Sequence, residues 1–400
     1  MPNHQGSYVP RSYVPRSAIG PFALCSISSA NRNTSLPIPN VTSSKLNHTR
    51  YRMRQSQSQG NGLYSTIDIK KGKLILKESP FLLLNLDKDG YNPPKSQYHR
   101  AFHALSPKYQ AIFWGLHQRR DNGETSQTMN VINTNSIPLP DEGDGVVRSV
   151  GLFEMLLRVN HCCTPHAGWY WYEEDTEMRL YAYTDIPPNT QITVSYLSNN
   201  DLIKPSVSRR KKIFDDFGFD CQCESCSLPS DSILASDERL KECVRIRSKV
   251  LRTSITAYAR EKDQALQELK RSIIFLRKEK KFNALGRIYE KMYEVYAIHG
   301  DIEKSKRWAR IAFHQFKKTI GRKKAMESFL VDQMDDPRRY PLWGELAKKK
   351  KSVKRKYVEY QYQDIGHEED DEDEDDYEDH SRLKWSKSRE WDEQSWDGSD

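Results

Sequence analysis

The sequence predicts an α+β protein: a compact β-rich domain with a helical insertion, followed by a mainly helical domain. Three observations lead there. Short aromatic and β-branched runs bounded by turn residues recur from Gly60 to Tyr196. After Cys226 the apolar residues fall at three- and four-residue steps, the helical period. Mean hydropathy is −0.82 and only 36% of the 400 residues are hydrophobic, so a good part of the chain cannot be packed core.

Residues 1–57 hold the first such part. They contain no Asp or Glu, are rich in Ser, Asn, Arg and Pro, and repeat SYVPR at Ser7–Arg11 and Ser12–Arg16, a composition expected to stay disordered. An acid-poor start of this kind also suits a mitochondrial transit peptide, but Pro10, Pro15 and Pro21 would interrupt its amphipathic helix. The β-rich domain is expected over 58–200. Its strands are read at Leu74–Glu78, Phe81–Leu84, Asn130–Ile137, Ala167–Tyr172, Arg179–Tyr183 and Gln191–Tyr196. Between them Tyr98, Phe102, Leu105, Tyr109, Phe113 and Leu116 share a helical spacing, which places a helical insertion at about 95–125.

Residues 201–230 carry a cysteine-rich segment. Over 231–345 the pattern is helical, and Phe282–Gly300 with Asp301–Gly321 reads as a helix, a Gly-Asp turn and a second helix resembling a tetratricopeptide hairpin. Ala309 and Ala312 lie where paired helices could approach closely. From 346 a basic cluster gives way to an acidic run, neither expected to fold alone. Asp364–Asp400 carries 17 acidic and 4 basic residues, so the net charge of +8 conceals about +21 on the remainder. Such a body suits an acidic partner, nucleic acid or nucleosome included; the plainer reading is a pair of solvated charge runs that keep the protein soluble. No apolar run approaches the roughly 20 residues of a membrane span, and no membrane partner is expected.

The seven cysteines are 25, 162, 163, 221, 223, 226 and 243. Their crowding in a long chain favours metal over a disulfide framework and implies a reducing compartment, nucleus or cytoplasm. Cys221, Cys223 and Cys226 offer three thiolates to one tetrahedral zinc ion and lack a fourth donor. Cys162 and Cys163 are the nearest candidates, with Cys243 and His161 behind them.

Asn160-His161-Cys162-Cys163-Thr164-Pro165-His166 resembles the Asn-His-Ser-Cys-x-Pro-Asn motif of SET-domain protein lysine methyltransferases, above all the SMYD-like branch and its fungal relatives. Further motifs follow in family order. Gly60-Asn61-Gly62-Leu63 resembles the opening Gly-x-Gly hairpin, Thr134-Asn135-Ser136 the central strand, Ile192–Tyr196 the strand of the catalytic tyrosine, and Phe217-Gly218-Phe219 the post-SET segment. The resemblance covers about residues 58–245. No MYND finger is present, since no cysteine-rich block lies between Phe81 and Val150.

The resemblance implies a SET core with a knot-like crossing, a zinc-bound post-SET loop, and S-adenosylmethionine-dependent methylation of a lysine on a protein substrate, with histones among the candidates. It implies that Gly60, Asn61, Gly62, Leu63, Asn135, Asn160, His161 and Phe219 hold the cofactor. Tyr196 and Phe217 line the lysine channel, and Cys163 completes the zinc set with Cys221, Cys223 and Cys226. Methyl transfer from a sulfonium to an uncharged amine needs alignment and desolvation more than proton transfer, so no acid–base dyad is expected. Four positions depart from the family pattern: Cys162 for serine, His166 for asparagine, Asn189 for a turn glycine, and Phe217 for a tyrosine whose hydroxyl would face the channel. The rival expectation is a catalytically weak SET-like adaptor that binds partners through its helical domain and charged tails. The sequence names neither the substrate lysine nor the oligomeric state.

Overall fold

In a computed structural model of the chain, the described residues are 50–55, 60–86, 95–118, 126–140, 147–328 and 330–347. They all belong to one compact unit. The expectations for residues 1–49 and 348–400, Cys25 and both tails included, lie outside the described residues.

Among the described residues ten strands occur in chain order: β1 (Tyr51–Gln55), β2 (Asn61–Ser65), β3 (Leu74–Glu78), β4 (Leu82–Asn85), β5 (Ile137–Pro140), β6 (Val147–Leu152), β7 (Asn160–His161), β8 (Ala167–Tyr172), β9 (Glu177–Ala182) and β10 (Thr193–Val194). They form four small sheets, β1-β2, β4-β6-β5, β3-β9-β8 and β10-β7, of which the last is parallel. β1, which lies before the boundary expected at 58, buries Tyr51 and pairs along its whole length with β2. Leu63, Val159, Ile192 and Val194 belong to the core beneath these sheets. Each fully buried aliphatic side chain there contributes about 1.5–3 kcal/mol relative to exposure.

The insertion comprises α1 (Lys95–His103), α2 (Pro107–Trp114) and α3 (Gln127–Asn135). α3 replaces the strand expected at Asn130–Ile137: Ser126 caps it by accepting the Met129 N–H at 3.4 Å, and Met129, Val131 and Ile132 bury into the core of the insertion. The β-branched residues that suggested a strand are held in helix by this packing, since propensity is a weak prior against tertiary contacts.

The remaining helices are α4 (Asn199–Leu202), α5 (Ser206–Phe217), α6 (Ser230–Arg252), α7 (Ile255–Tyr258), α8 (Lys262–Lys278), α9 (Phe282–Ile298), α10 (Ile302–Ile320), α11 (Arg322–Met326) and α12 (Leu330–Asp335). α9 and α10 form the expected hairpin, with Ala309 and Ala312 fully buried in its core. This core is separate from that of the sheets, but the halves touch: the Tyr172 hydroxyl on β8 donates to the Ile320 carbonyl at 2.6 Å. Among the described residues no helix is long and apolar enough to cross a membrane.

Candidate active site and metal centre

The site is organised around Asn160–Cys163. Glu78 at the end of β3 accepts the N–H groups of Glu154 at 2.6 Å, Met155 at 3.1 Å and Leu156 at 3.0 Å, fixing the turn that delivers β7. Burial pushes this carboxyl up to about 7 against the pull of those bonds. β7 then runs beside β10, with Thr193 opposite Asn160 and Val194 opposite His161, and the Cys162 N–H donates to the Val194 carbonyl at 2.8 Å.

On one side of β7 lies the hairpin of β1 and β2. The Asn160 side-chain amide donates to the Asn61 carbonyl at 3.3 Å. A Cβ on Gly62 would lie 2.7 Å from Gln191 Nε2 and 2.9 Å from Asn160 Nδ2, so only glycine lets both amides close over the hairpin. Gly60 and Asn61 are exposed beside the half-buried Asn160.

His161 is 2% exposed and both ring nitrogens are engaged. Nδ1 accepts the Tyr196 N–H at 3.0 Å, which leaves Nε2 as the protonated nitrogen, 3.5 Å from Cys163 Sγ. Burial lowers its pKa to about 4, so the ring stays neutral. The ring therefore holds Tyr196 and Cys163 in place.

The Tyr196 hydroxyl donates to the Val159 carbonyl at 2.9 Å. Burial pushes the phenol well above its usual range, so it keeps its proton at neutral pH. Its ring lies 5.0 Å from that of Phe217, the last residue of α5. Gly218, left-handed at φ 78°, ends that helix and reverses the chain, which brings Phe219 to 6.4 Å from the His161 ring. His161, Tyr196, Phe217 and Phe219 thus form one aromatic cluster.

On the other side of β7, the Sγ atoms of Cys163, Cys221, Cys223 and Cys226 all lie within 4.8 Å of one another and all four residues are buried. Cys163 and Cys226 are 3.7 Å apart, close to the roughly 3.8 Å edge of a tetrahedron with Zn–S distances of about 2.3 Å. Hydrogen bonds among the sulfurs hold Cys223 and Cys226 below the usual thiol range and push Cys163 and Cys221 above it. The donor set fits a structural zinc. Of the alternative fourth donors, Cys243 is buried in the helical core near the Ser272 carbonyl, and Cys162 faces Thr164 at 3.4 Å.

Of the residues expected at the cofactor, Asn135 and Leu63 place their side chains within the fold. The Asn135 amide closes the end of α3, donating to the Val131 and His117 carbonyls at 2.7 Å each, and does not sit on a strand. The Leu63 side chain is 0% exposed in the core, and its carbonyl accepts the Ile192 N–H at 2.8 Å. Asn189 adopts φ 63°, the left-handed turn for which glycine is common in the family, and its side chain accepts from Arg52 at 2.7 Å.

Glu78, Gln191, Arg209 and Lys281 were not singled out by sequence. Lys281, between α8 and α9, is 1% exposed and donates to the Cys163 carbonyl; burial and then Arg209 lower its pKa to about 8. Arg209 on α5 is also 1% exposed and donates to the Lys204 carbonyl at 2.5 Å and to Ser225 Oγ at 3.3 Å. Its only available clue was an arginine at an inward position of an otherwise polar helix.

Comparison with known proteins agrees with this geometry. The family model described as SET domain matches residues 60–197. Histone-lysine N-methyltransferase set5 of Schizosaccharomyces pombe is 24% identical over 269 residues, 65% of this chain and 76% of that protein. Histone-lysine N-methyltransferase Smyd1 of Mus musculus is 32% identical over 126 residues, 28% of this chain and 25% of that protein. Protein-lysine N-trimethyltransferase SMYD5 of Mus musculus is 31% identical over 81 residues, 20% of each. The chain spans three quarters of the first of these relatives and a quarter or less of the other two. The chain thus carries a SET domain at 60–197, and the proteins it resembles along that domain are named for lysine methylation.

Proposed function

We propose that this protein transfers a methyl group from S-adenosylmethionine to a lysine side chain of a protein substrate, and that the aromatic cluster of Tyr196, Phe217, Phe219 and His161 is the floor of its active site. The observation that carries this reading is the placement of Asn160 on β7 and of Tyr196 just beyond the adjoining β10, its N–H on the His161 ring, with the Gly60–Gly62 hairpin against Asn160. S-adenosylmethionine, when bound, supplies an electrophilic methyl and needs no activation by a protein acid.

In this reading the hairpin edge and the Asn160 amide bind the polar ends of the cofactor, and Phe219 offers its ring to the adenine. Because the Tyr196 proton is committed to the Val159 carbonyl, its oxygen presents a lone pair. That lone pair accepts an N–H from the substrate amine and turns the nitrogen lone pair toward the methyl. Alignment of this kind is worth more here than acid–base chemistry. Phe217 forms an apolar wall that strips water from the amine. His161 is neutral and fully hydrogen-bonded, so it is no proton acceptor; the amine arrives deprotonated from solvent.

Histone tails are the first substrates to examine, given the names of the relatives, and action in the nucleus or cytoplasm follows from that choice. The basic body offers a surface complementary to nucleosomal phosphate. The test is incubation of the purified full chain with methyl-labelled S-adenosylmethionine and either core histones or a cell extract. Label in a lysine of one or more proteins supports the reading. Absence of label in both, with cofactor binding intact, overturns it.

A further inference from the structure

The four-cysteine cluster raises a charge problem that its own residues do not solve. One zinc ion and four thiolates leave two negative charges in excess, inside a pocket where every sulfur is buried. An uncompensated buried charge is strongly disfavoured. The structure brings two cations to this pocket, from elements far apart in sequence.

Arg209, on α5, lies against the turn that carries the last two ligands: it donates to Ser225 Oγ at 3.3 Å, between Cys223 and Cys226. Its Nε has no hydrogen-bond partner among the described residues, though it is buried. The Cys163 and Cys226 sulfurs lie near its guanidinium. Lys281, from the helical half, reaches across the chain to the carbonyl of Cys163. Two carboxylates also stand near these cations: Asp237, which accepts the Ser206 N–H at 2.7 Å, faces Arg209, and Glu279, which is paired with Arg239 at 2.6 Å, faces Lys281; Glu224 is paired with Lys280 at 3.6 Å.

We propose that Arg209 and Lys281 are the counter-charges of a dianionic tetrathiolate zinc centre, and that Lys281 makes the helical half a holder of that metal. The proposal rests on the zinc reading of the four cysteines. Its consequence is that metal and helical domain support each other. Zinc keeps the cationic Lys281 partnered, and Lys281 lowers the cost of four buried thiolates around one ion. The start of α9 is thereby tied to Cys163, two residues from the His161 ring that holds the Tyr196 main chain.

The test compares wild type, Lys281→Met and Lys281→Arg as full chains. Zinc content is measured by metal analysis, and zinc release into a chromogenic chelator is followed with time. Outer-shell partners of metal ligands typically change metal affinity by roughly 10- to 100-fold. Lys281→Met is therefore expected to release zinc faster by about that factor, with Lys281→Arg restoring most of the difference. Release at the wild-type rate from a folded, zinc-loaded Lys281→Met overturns the counter-charge. A wild-type chain without zinc overturns the tetrathiolate centre and this proposal with it.

Should Lys281→Met not fold, hydrogen exchange on the wild-type chain decides. Chelation is expected to raise exchange both at residues 219–227 and around 276–286. A rise confined to the cysteine segment overturns the link to the helical half.

Discussion

Asn160 and Cys163 stand a few residues apart, yet their neighbourhoods differ. Around Cys163 the side chains close on themselves: Cys163 is 0%, Cys221 2%, Cys226 6% and Cys223 8% exposed, and the four sulfurs converge on one point. Around Asn160 the surroundings are more open: Gly60 and Asn61 are exposed, and Tyr196, Phe217 and Phe219 are only half-buried. A closed, inward-facing set suits a structural metal, whose binding free energy is part of folding free energy. A half-open set suits groups that arrive and leave. His161 joins the two, with one nitrogen on each.

If that division holds, damage on the cysteine side should appear as instability and damage on the aromatic side as lost turnover. The largest effect is expected for Cys163→Ser. Loss of a metal site belongs to the few single changes that cost about 4 kcal/mol or more. Metal analysis should show zinc lost, and thermal unfolding should show a lowered midpoint. Full zinc retention would mean that Cys162 or His161 takes the fourth position. A protein that lost zinc yet kept its midpoint would erase the contrast between the two sides.

Next comes Tyr196→Phe. Its hydroxyl is proposed to orient the amine, so turnover should fall while the cofactor-induced rise in thermal midpoint and the zinc content stay at wild-type values. Borrowing the magnitude of an aligned hydrogen-bonding group at a reacting centre, the loss is about 2.7–4 kcal/mol, or roughly a hundred- to thousandfold in rate. The risk to this prediction is structural. The hydroxyl also satisfies the Val159 carbonyl, and its loss leaves that acceptor unpaired at about 1–3 kcal/mol. Turnover must therefore fall more than stability does. Equal losses would place Tyr196 with the cysteines as a structural residue.

The same contrast explains what was legible in the sequence. The four-cysteine cluster could be read because three of its members fall within six residues, and the fourth sits in a motif with its own family resemblance. The Gly60–Gly62 hairpin, β3, β8 and the hairpin of α9 and α10 could be read because turn residues and apolar periods are local. The stretch at Asn130–Asn135 was misread because its β-branched residues are set by what the insertion packs against them, which no local pattern carries. Asn135 and Leu63 kept their expected neighbours in sequence while their side chains turned to a helix end and to the core. Lys281 was invisible for a different reason: its partner is 118 residues away, and nothing near a lysine at the start of a helix announces a buried carbonyl.

The smallest effect, and the one that sharpens the aromatic side most, is expected for Phe217→Tyr. Residue 217 ends α5 just before the left-handed Gly218, and its ring lies 5.0 Å from that of Tyr196. An added hydroxyl there changes neither the helix end nor the cysteines, so zinc content and midpoint should stay at wild-type values. What it adds is one polar group beside the amine. A net hydrogen bond is worth about 1 kcal/mol, or roughly fivefold in an equilibrium or a rate ratio. A second hydroxyl would hold water or the amine in an orientation that leaves less room for a methylated nitrogen to turn. The ratio of mono- to di- and trimethylated lysine should therefore rise severalfold, read by product mass on whatever substrate the labelling identifies. An unchanged ratio at unchanged turnover would place Phe217 outside the channel, as a wall that packs Tyr196 and nothing more.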